Sequence, residues 1–327
     1  MYPISSATIR ATVSASAPAM ALALVLAGCS LDGDAVDASV FDYDAEADLN
    51  LVEGEAIELP FPDTDVRPIS YDSPGGPVTG YIAYPPEGAS AAGIIAMHGM
   101  PERADDMIEL PLALMGCFGA TAIAIDAPYA RADRMIAPLE FDETDRDETI
   151  QLVVDLRRAV DVLEGKGIEQ IAYDGNSWSA DVGGILAGVE PRIDGFAIMV
   201  GGLVIERFMR NGSPIGPLAE QPDDVVDEWL RLMATVSAEE FVGDATAPIY
   251  FRNNRGDTIV TPENAERLHA AAGPDHEVQW YDDSPDPAGH DMSIQMIVDH
   301  LHWQADLLGL DRDRVDGCLA PLVDLFP

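Results

Sequence analysis

Lysine is almost absent from this 327-residue chain: Lys166 is the only one. With the arginines it makes 18 basic residues against 58 acidic ones, a formal net charge of −40. A surface that negative repels phosphate backbones and anionic headgroups, so nucleic-acid binding is not expected. Cysteine is as scarce. Its three residues, Cys29, Cys117 and Cys318, include no Cys-x-x-Cys pair, which removes the usual zinc and redox frames. A run long enough to span a bilayer is missing too, since residues 19 to 26 are eight apolar residues where about 20 are needed. What remains is ordinary globular composition, 47% apolar, long enough for one large α/β domain or two smaller ones with a sizeable core.

The apolar run passes into Leu26-Ala27-Gly28-Cys29. Its length and its small-residue end have the form of a secretory signal. The tetrapeptide resembles the bacterial lipobox, in which small residues before a lipidated cysteine admit a dedicated peptidase. The resemblance implies that residues 1–28 are a signal peptide, that Cys29 is lipidated, and that the protein is exported and held at the cell envelope through its lipid anchor only. A plain secretory signal with a chance cysteine is the alternative, because Arg10 is the only cation ahead of the run. Residues 29–64, rich in Asp, Glu and Ala with no period of 2 or 3.6, read as an acidic tether.

From residue 65 short apolar or β-branched runs alternate with helical stretches, the pattern of a mostly parallel sheet. Eight strands are predicted, at 65–71, 78–84, 92–98, 120–126, 169–174, 195–200, 247–253 and 277–282. A helix over 146–165 is predicted from Leu152, Leu156, Val160 and Leu163. The domain is taken as 65–327, with 203–244, after the sixth strand, as a small lid insertion that includes helical pieces around 222–235.

The chemistry is concentrated in Asp174-Gly175-Asn176-Ser177-Trp178-Ser179, where an apolar strand runs into a helix of small residues. A serine on so sharp a turn needs small residues two before and two after it. Gly175 and Ser179 meet that demand, although Ser179 stands where the usual motif has glycine. Upstream, a strand ends in His98-Gly99-Met100; downstream, Gly256-Asp257 follows a strand and His290 lies beyond the next. The order Ser177, Asp257, His290 puts nucleophile, acid and base on loops at the carboxyl ends of strands.

With these motifs the chain resembles the α/β-hydrolase superfamily, specifically its dienelactone-hydrolase-like and prolyl-oligopeptidase-like serine esterases, over about residues 65–308. Asp126-Ala127-Pro128-Tyr129 and Gly289-His290-Asp291 add to the likeness. The resemblance implies an eight-stranded sheet with helices on both faces and a Ser177-His290-Asp257 triad. It also implies an oxyanion hole from the backbone N–H groups of Trp178, Gly99 and Met100, and cleavage of small-molecule carboxylic esters without cofactor or metal. A peptidase or amidase of the same fold and a non-catalytic surface-binding lipoprotein are the alternatives. Dienelactone hydrolases themselves carry a cysteine nucleophile, so Ser177 argues against that activity. In this fold the helix closed by Cys117 and the chain after the last helix lie on one face, which allows a Cys117–Cys318 disulfide; two buried free thiols are the other reading. His98 reads as structural. His300 and His302 point apart on a helix and read as surface groups.

Overall fold

The protein is described here by a computed structural model that covers residues 37–59, 64–86, 91–135, 138–203 and 221–325. Nine strands form one sheet: β1 (Val52–Glu53), β2 (Asp65–Ser73), β3 (Gly76–Tyr84), β4 (Ala92–Met97), β5 (Thr121–Ile125), β6 (Gln170–Asn176), β7 (Gly195–Met199), β8 (Ile249–Asn254) and β9 (His276–Tyr281). They lie in the order β1-β2-β3-β5-β4-β6-β7-β8-β9. The first four in that order pair antiparallel and β5 to β9 pair parallel. Each predicted strand is present within a residue or two. Central β4 is buried along its whole length, which is why Ala92-Gly-Ile-Ile-Ala-Met reads as a continuous apolar run rather than an alternating one.

The helices are α1 (Ala113–Cys117), α2 (Pro128–Arg131), α3 (Glu143–Gly165), α4 (Trp178–Val189), α5 (Asp223–Met233), α6 (Ala238–Phe241), α7 (Pro262–Ala271), α8 (Ile294–Leu307) and α9 (Arg312–Leu325). Two cores result, one on each face of the sheet. The larger joins Leu152, Leu156 and Val160 of α3 to Ile185 and Leu186 of α4 and to Leu268 of α7. The other joins Met115 of α1, Leu301 and Ala305 of α8, and Val315 and Leu319 of α9. Helix α3 starts ahead of the predicted residue 146 because Asp142 caps it, its carboxylate accepting the Thr144 N–H. Among the described residues no helix is long and apolar enough to cross a membrane.

Three sequence expectations change. The sheet has a ninth strand, the short β1, which pairs Val52 with Ser70 and Glu53 with Ile69. It belongs to the segment read as a tether, which packs on the domain through Phe41 and Tyr43. Phe41 is fully buried against Phe241, with ring centroids 5.3 Å apart. Arg157 donates to the Phe41 carbonyl at 2.7 Å, Arg158 to the Ala47 carbonyl at 2.9 Å, and the Tyr43 hydroxyl to Asp161 at 3.0 Å. One aromatic anchor and a few arginine-held carbonyls leave no periodic trace in a sequence. Third, Cys318 lies inside the unpredicted helix α9, where it forms a disulfide with Cys117 at a Cα separation of 6.1 Å.

Of the expected lid, residues 204–220 lie outside the described residues, as do residues 1–28, read as a signal peptide, and Cys29. The rest of that insertion contains α5, near the predicted 222–235. Its Val226, Trp229 and Met233 face inward, and the Trp229 indole N–H donates to the buried Asp145 carboxylate at 2.6 Å.

Candidate active site

Ser177 stands between β6 and α4 with φ 55° and ψ −119°, a conformation that side chains rarely adopt. The turn is sharp enough that a Cβ on Gly175 would lie 2.7 Å from the Ser179 carbonyl and 2.7 Å from the Tyr173 ring, so only glycine fits there. Ser179 is fully buried, and its departure from glycine has a purpose. Its hydroxyl accepts the Asn176 N–H at 2.9 Å and donates to the Met97 carbonyl at 2.8 Å, tying the turn to the end of β4. The Ser177 N–H is held by the Met199 carbonyl at 3.0 Å. The tie continues across the sheet through Val200, itself at φ 44°, whose N–H meets the Arg252 carbonyl.

The loops after β8 and β9 bring the other two groups in. The His290 Nε2 lies 2.8 Å from the Ser177 Oγ, and its Nδ1 lies 2.7 Å from the Asp257 Oδ2. The carboxylate can only accept, which assigns the imidazole proton to Nδ1 and leaves Nε2 to accept from the serine hydroxyl. Asp257 is 3% exposed, and its other oxygen takes the N–H groups of Ile259 and Val260 at 2.8 and 2.9 Å. These bonds fix the carboxylate from behind while it orients the ring. The two loops are pressed together: Gly289 has φ 75°, and a Cβ on it would sit 2.4 Å from the Gly256 carbonyl. Asn254, at the end of β8, donates to the Gly289 and Asp291 carbonyls at 2.9 and 3.0 Å, so the loop carrying His290 is fastened on both sides of it. Asp257 is thus the carboxylate that takes the imidazole.

The expected oxyanion hole needs one correction. The Gly99 N–H is occupied, because it donates to the Glu102 carboxylate at 2.9 Å. Sequence reasoning missed Glu102, since nothing in the spacing shows that this side chain folds back across its own turn. The Met100 and Trp178 N–H groups have no hydrogen-bond partner among the described residues. For Trp178 this follows from its place as the first residue of α4, where backbone donors are left over. The turn itself is pinned. Glu102 N–H donates to the Gly99 carbonyl at 3.1 Å, the Tyr129 hydroxyl to the Glu102 carbonyl at 2.7 Å, and His98 Nδ1 to the Gly99 carbonyl at 2.8 Å. Burial holds the His98 pKa below its ordinary value, so its ring is neutral and structural at pH 7.

Two further sets of groups lie outside the site. His300, read from the sequence as a surface group, is buried and meets Asp174 at 2.8 Å, because α8 turns that face onto β6; His302 meets Asp316 near the surface. Asp181, one turn into α4, is buried with its pKa pushed up to about 7 by desolvation. Among the described residues no group of three His, Cys, Asp or Glu side chains could hold a metal ion.

No protein-family model matches the chain, and no curated protein matches it in sequence. Solved structures do match. An acetyl xylan esterase from Paenibacillus sp. R4 is 14% identical at a TM-score of 0.65, the alignment covering 82% of this chain and 91% of that one. A cold-adapted esterase from an Arctic intertidal metagenomic library is 16% identical at 0.55, over 79% and 97%. A puromycin-hydrolysing peptidase of Mycobacterium tuberculosis is 17% identical at 0.61, over 78% of this chain and 41% of that one. At such identities the likeness speaks for architecture, and the chain has the α/β-hydrolase fold.

Proposed function

We propose that the protein is a serine hydrolase that cleaves carboxylic esters through an acyl-enzyme. The observation that carries this reading is the continuous hydrogen-bonded chain from Ser177 through His290 to Asp257, on three loops at the carboxyl ends of β6, β9 and β8. His290 Nε2 takes the hydroxyl proton as the Ser177 Oγ attacks the ester carbonyl, and the Met100 and Trp178 N–H groups hold the oxygen that becomes negative. The tetrahedral adduct then collapses. The C–O bond to the alcohol breaks, His290 returns the proton to the departing oxygen, and Ser177 is left acylated. Water, deprotonated by His290, attacks the acyl carbonyl, and a second collapse releases the carboxylate and restores the serine. Asp257 fixes the ring and stabilises the imidazolium.

Labelling with a fluorophosphonate probe tests the assignment. The native protein should gain the phosphonyl mass on the tryptic peptide that contains Ser177, and the heat-denatured protein should gain none. Label on another residue, or none, removes the reading. The likeness to the puromycin-hydrolysing peptidase supports a second reading, amide cleavage at the same site. Turnover of a p-nitroanilide at a rate matching the corresponding ester would favour it.

For the segment before the domain we infer lipid attachment at Cys29, on the Leu26-Ala27-Gly28-Cys29 sequence alone. Expressed in a lipoprotein-competent bacterium, the protein should partition into detergent and Cys29→Ala protein into the aqueous phase. A water-soluble wild type would refute the attachment.

A further inference from the structure

The carboxylate of Glu102 is chemically out of place in the site just described. A Cβ built on Gly99 would lie 3.5 Å from the Ser177 Cβ and 3.4 Å from the Glu102 Oε2, so nucleophile and carboxylate flank the same point on the loop. Only one carboxylate oxygen is engaged, by the Gly99 N–H at 2.9 Å, and no arginine or lysine among the described residues pairs with the group. The charges near it include Asp106 and Asp291, both negative. Desolvation on the loop raises its pKa somewhat, and the Gly99 N–H opposes that rise. Ester cleavage builds a negative charge on the carbonyl oxygen, and an anion fixed nearby opposes that step for any substrate without a compensating charge.

We propose that Glu102 is a specificity-determining residue that selects esters carrying a cationic group close to the scissile carbonyl, such as the α-ammonium of an aminoacyl ester. The proposal rests on the serine-hydrolase reading and names its substrate class. The backbone bond from Gly99 holds the carboxylate in place, so the charge is presented without the entropy cost of ordering a free side chain. Its open oxygen then accepts a hydrogen bond from the ammonium, and the pair cancels the field that burdens a neutral ester. Anionic acyl groups are excluded by the same charge. Such a partly solvated carboxylate–ammonium pair is worth about tenfold in relative rate, and salt weakens it.

The test compares the p-nitrophenyl esters of alanine and propionic acid at a pH below the α-ammonium's pKa, each rate divided by that ester's uncatalysed hydrolysis rate at the same pH and salt to remove intrinsic reactivity. In wild type at about 0.05 M NaCl the corrected kcat/KM for the alanine ester should exceed that for the propionate by about tenfold, and at about 1 M NaCl the ratio should shrink severalfold. In Glu102→Gln, whose amide oxygen can still accept the Gly99 N–H, the ratio should fall close to one at low salt. An unchanged ratio in a folded Glu102→Gln protein that still labels at Ser177 overturns the proposal alone. Wild type that neither labels at Ser177 nor turns over either ester overturns the hydrolase reading, and the proposal with it. Should Glu102→Gln fail to fold, Glu102→Ala takes its place with the same expected fall in the ratio, because the net charge of −40 by itself favours a cationic ester in wild type. In wild type a ratio near one, or one that salt leaves alone, sinks the proposal.

Discussion

Ser177→Ala should lower kcat/KM for a short p-nitrophenyl ester on the order of 10⁴-fold or more, without loss of fold. The size follows from what remains when the hydroxyl is removed. His290 and the Met100 and Trp178 N–H groups still stand, but no protein oxygen is positioned to attack, so only binding and oxyanion stabilisation of a water reaction survive. The three groups act as one unit, because each hydrogen bond orients the next: Asp257 to Nδ1 at 2.7 Å, Nε2 to the serine at 2.8 Å. His290→Ala should therefore cost about as much as Ser177→Ala, and the double variant should cost little more than either. The fold should tolerate the serine change, since the side chain packs no core and the strained turn is imposed by Gly175 and Ser179. Steady-state kinetics on variants with native circular dichroism decide the matter. A Ser177→Ala protein within tenfold of wild type would remove serine from the chemistry.

How much of this was legible before any coordinates depended on whether the signal was local. Central strands such as β4 and β7 could be read because parallel strands buried on both faces are apolar throughout, and the antiparallel β2 and β3 because their burial alternates. The Gly175-x-Ser177-x-Ser179 turn could be read because its steric demand falls on neighbouring residues. The packed segment around Phe41 and Tyr43 could not, since its stability comes from Arg157, Arg158 and Asp161, more than a hundred residues away. The choice among the proposed oxyanion donors was equally hidden. Gly99 and Met100 look alike as backbone donors in sequence, and it is the rotamer of Glu102 that withdraws one of them. His300 was misplaced for a related reason. Helical spacing separates it from His302 but cannot say which of the two faces the sheet. The short β1 has only two residues, too few for any alternation to register.

Replacing Cys117 and Cys318 by alanine should lower the unfolding free energy by about 5 kcal/mol, the loop-closure entropy that the chain model assigns to a bridge joining residues so far apart. The two cysteines are 201 residues apart in sequence, so the bond encloses β5 to β9 and every residue of the proposed triad. Without it α9 is still held by Val315 and Leu319 in the core, by the Arg314 bond to the Cys117 carbonyl of α1, and by the His302–Asp316 pair to α8. That is modest cover for a terminal helix, and part of the loss should therefore appear as early detachment of α9, with a broadened transition in place of a simple shift. For a domain of this size 1 kcal/mol corresponds to roughly 2 °C, so the melting temperature should drop on the order of 10 °C. Wild type in excess dithiothreitol should melt where the double variant does, which separates loss of the bond from any effect of the alanines. The proposed hydrolase activity at 25 °C should survive the replacement, because α1 and α9 pack on the sheet's face and not on the loops that carry Ser177, Asp257 and His290. Calorimetry with and without reductant checks both halves. Equal melting temperatures for wild type and double variant would show that the bridge adds nothing to a helix already held by its apolar face.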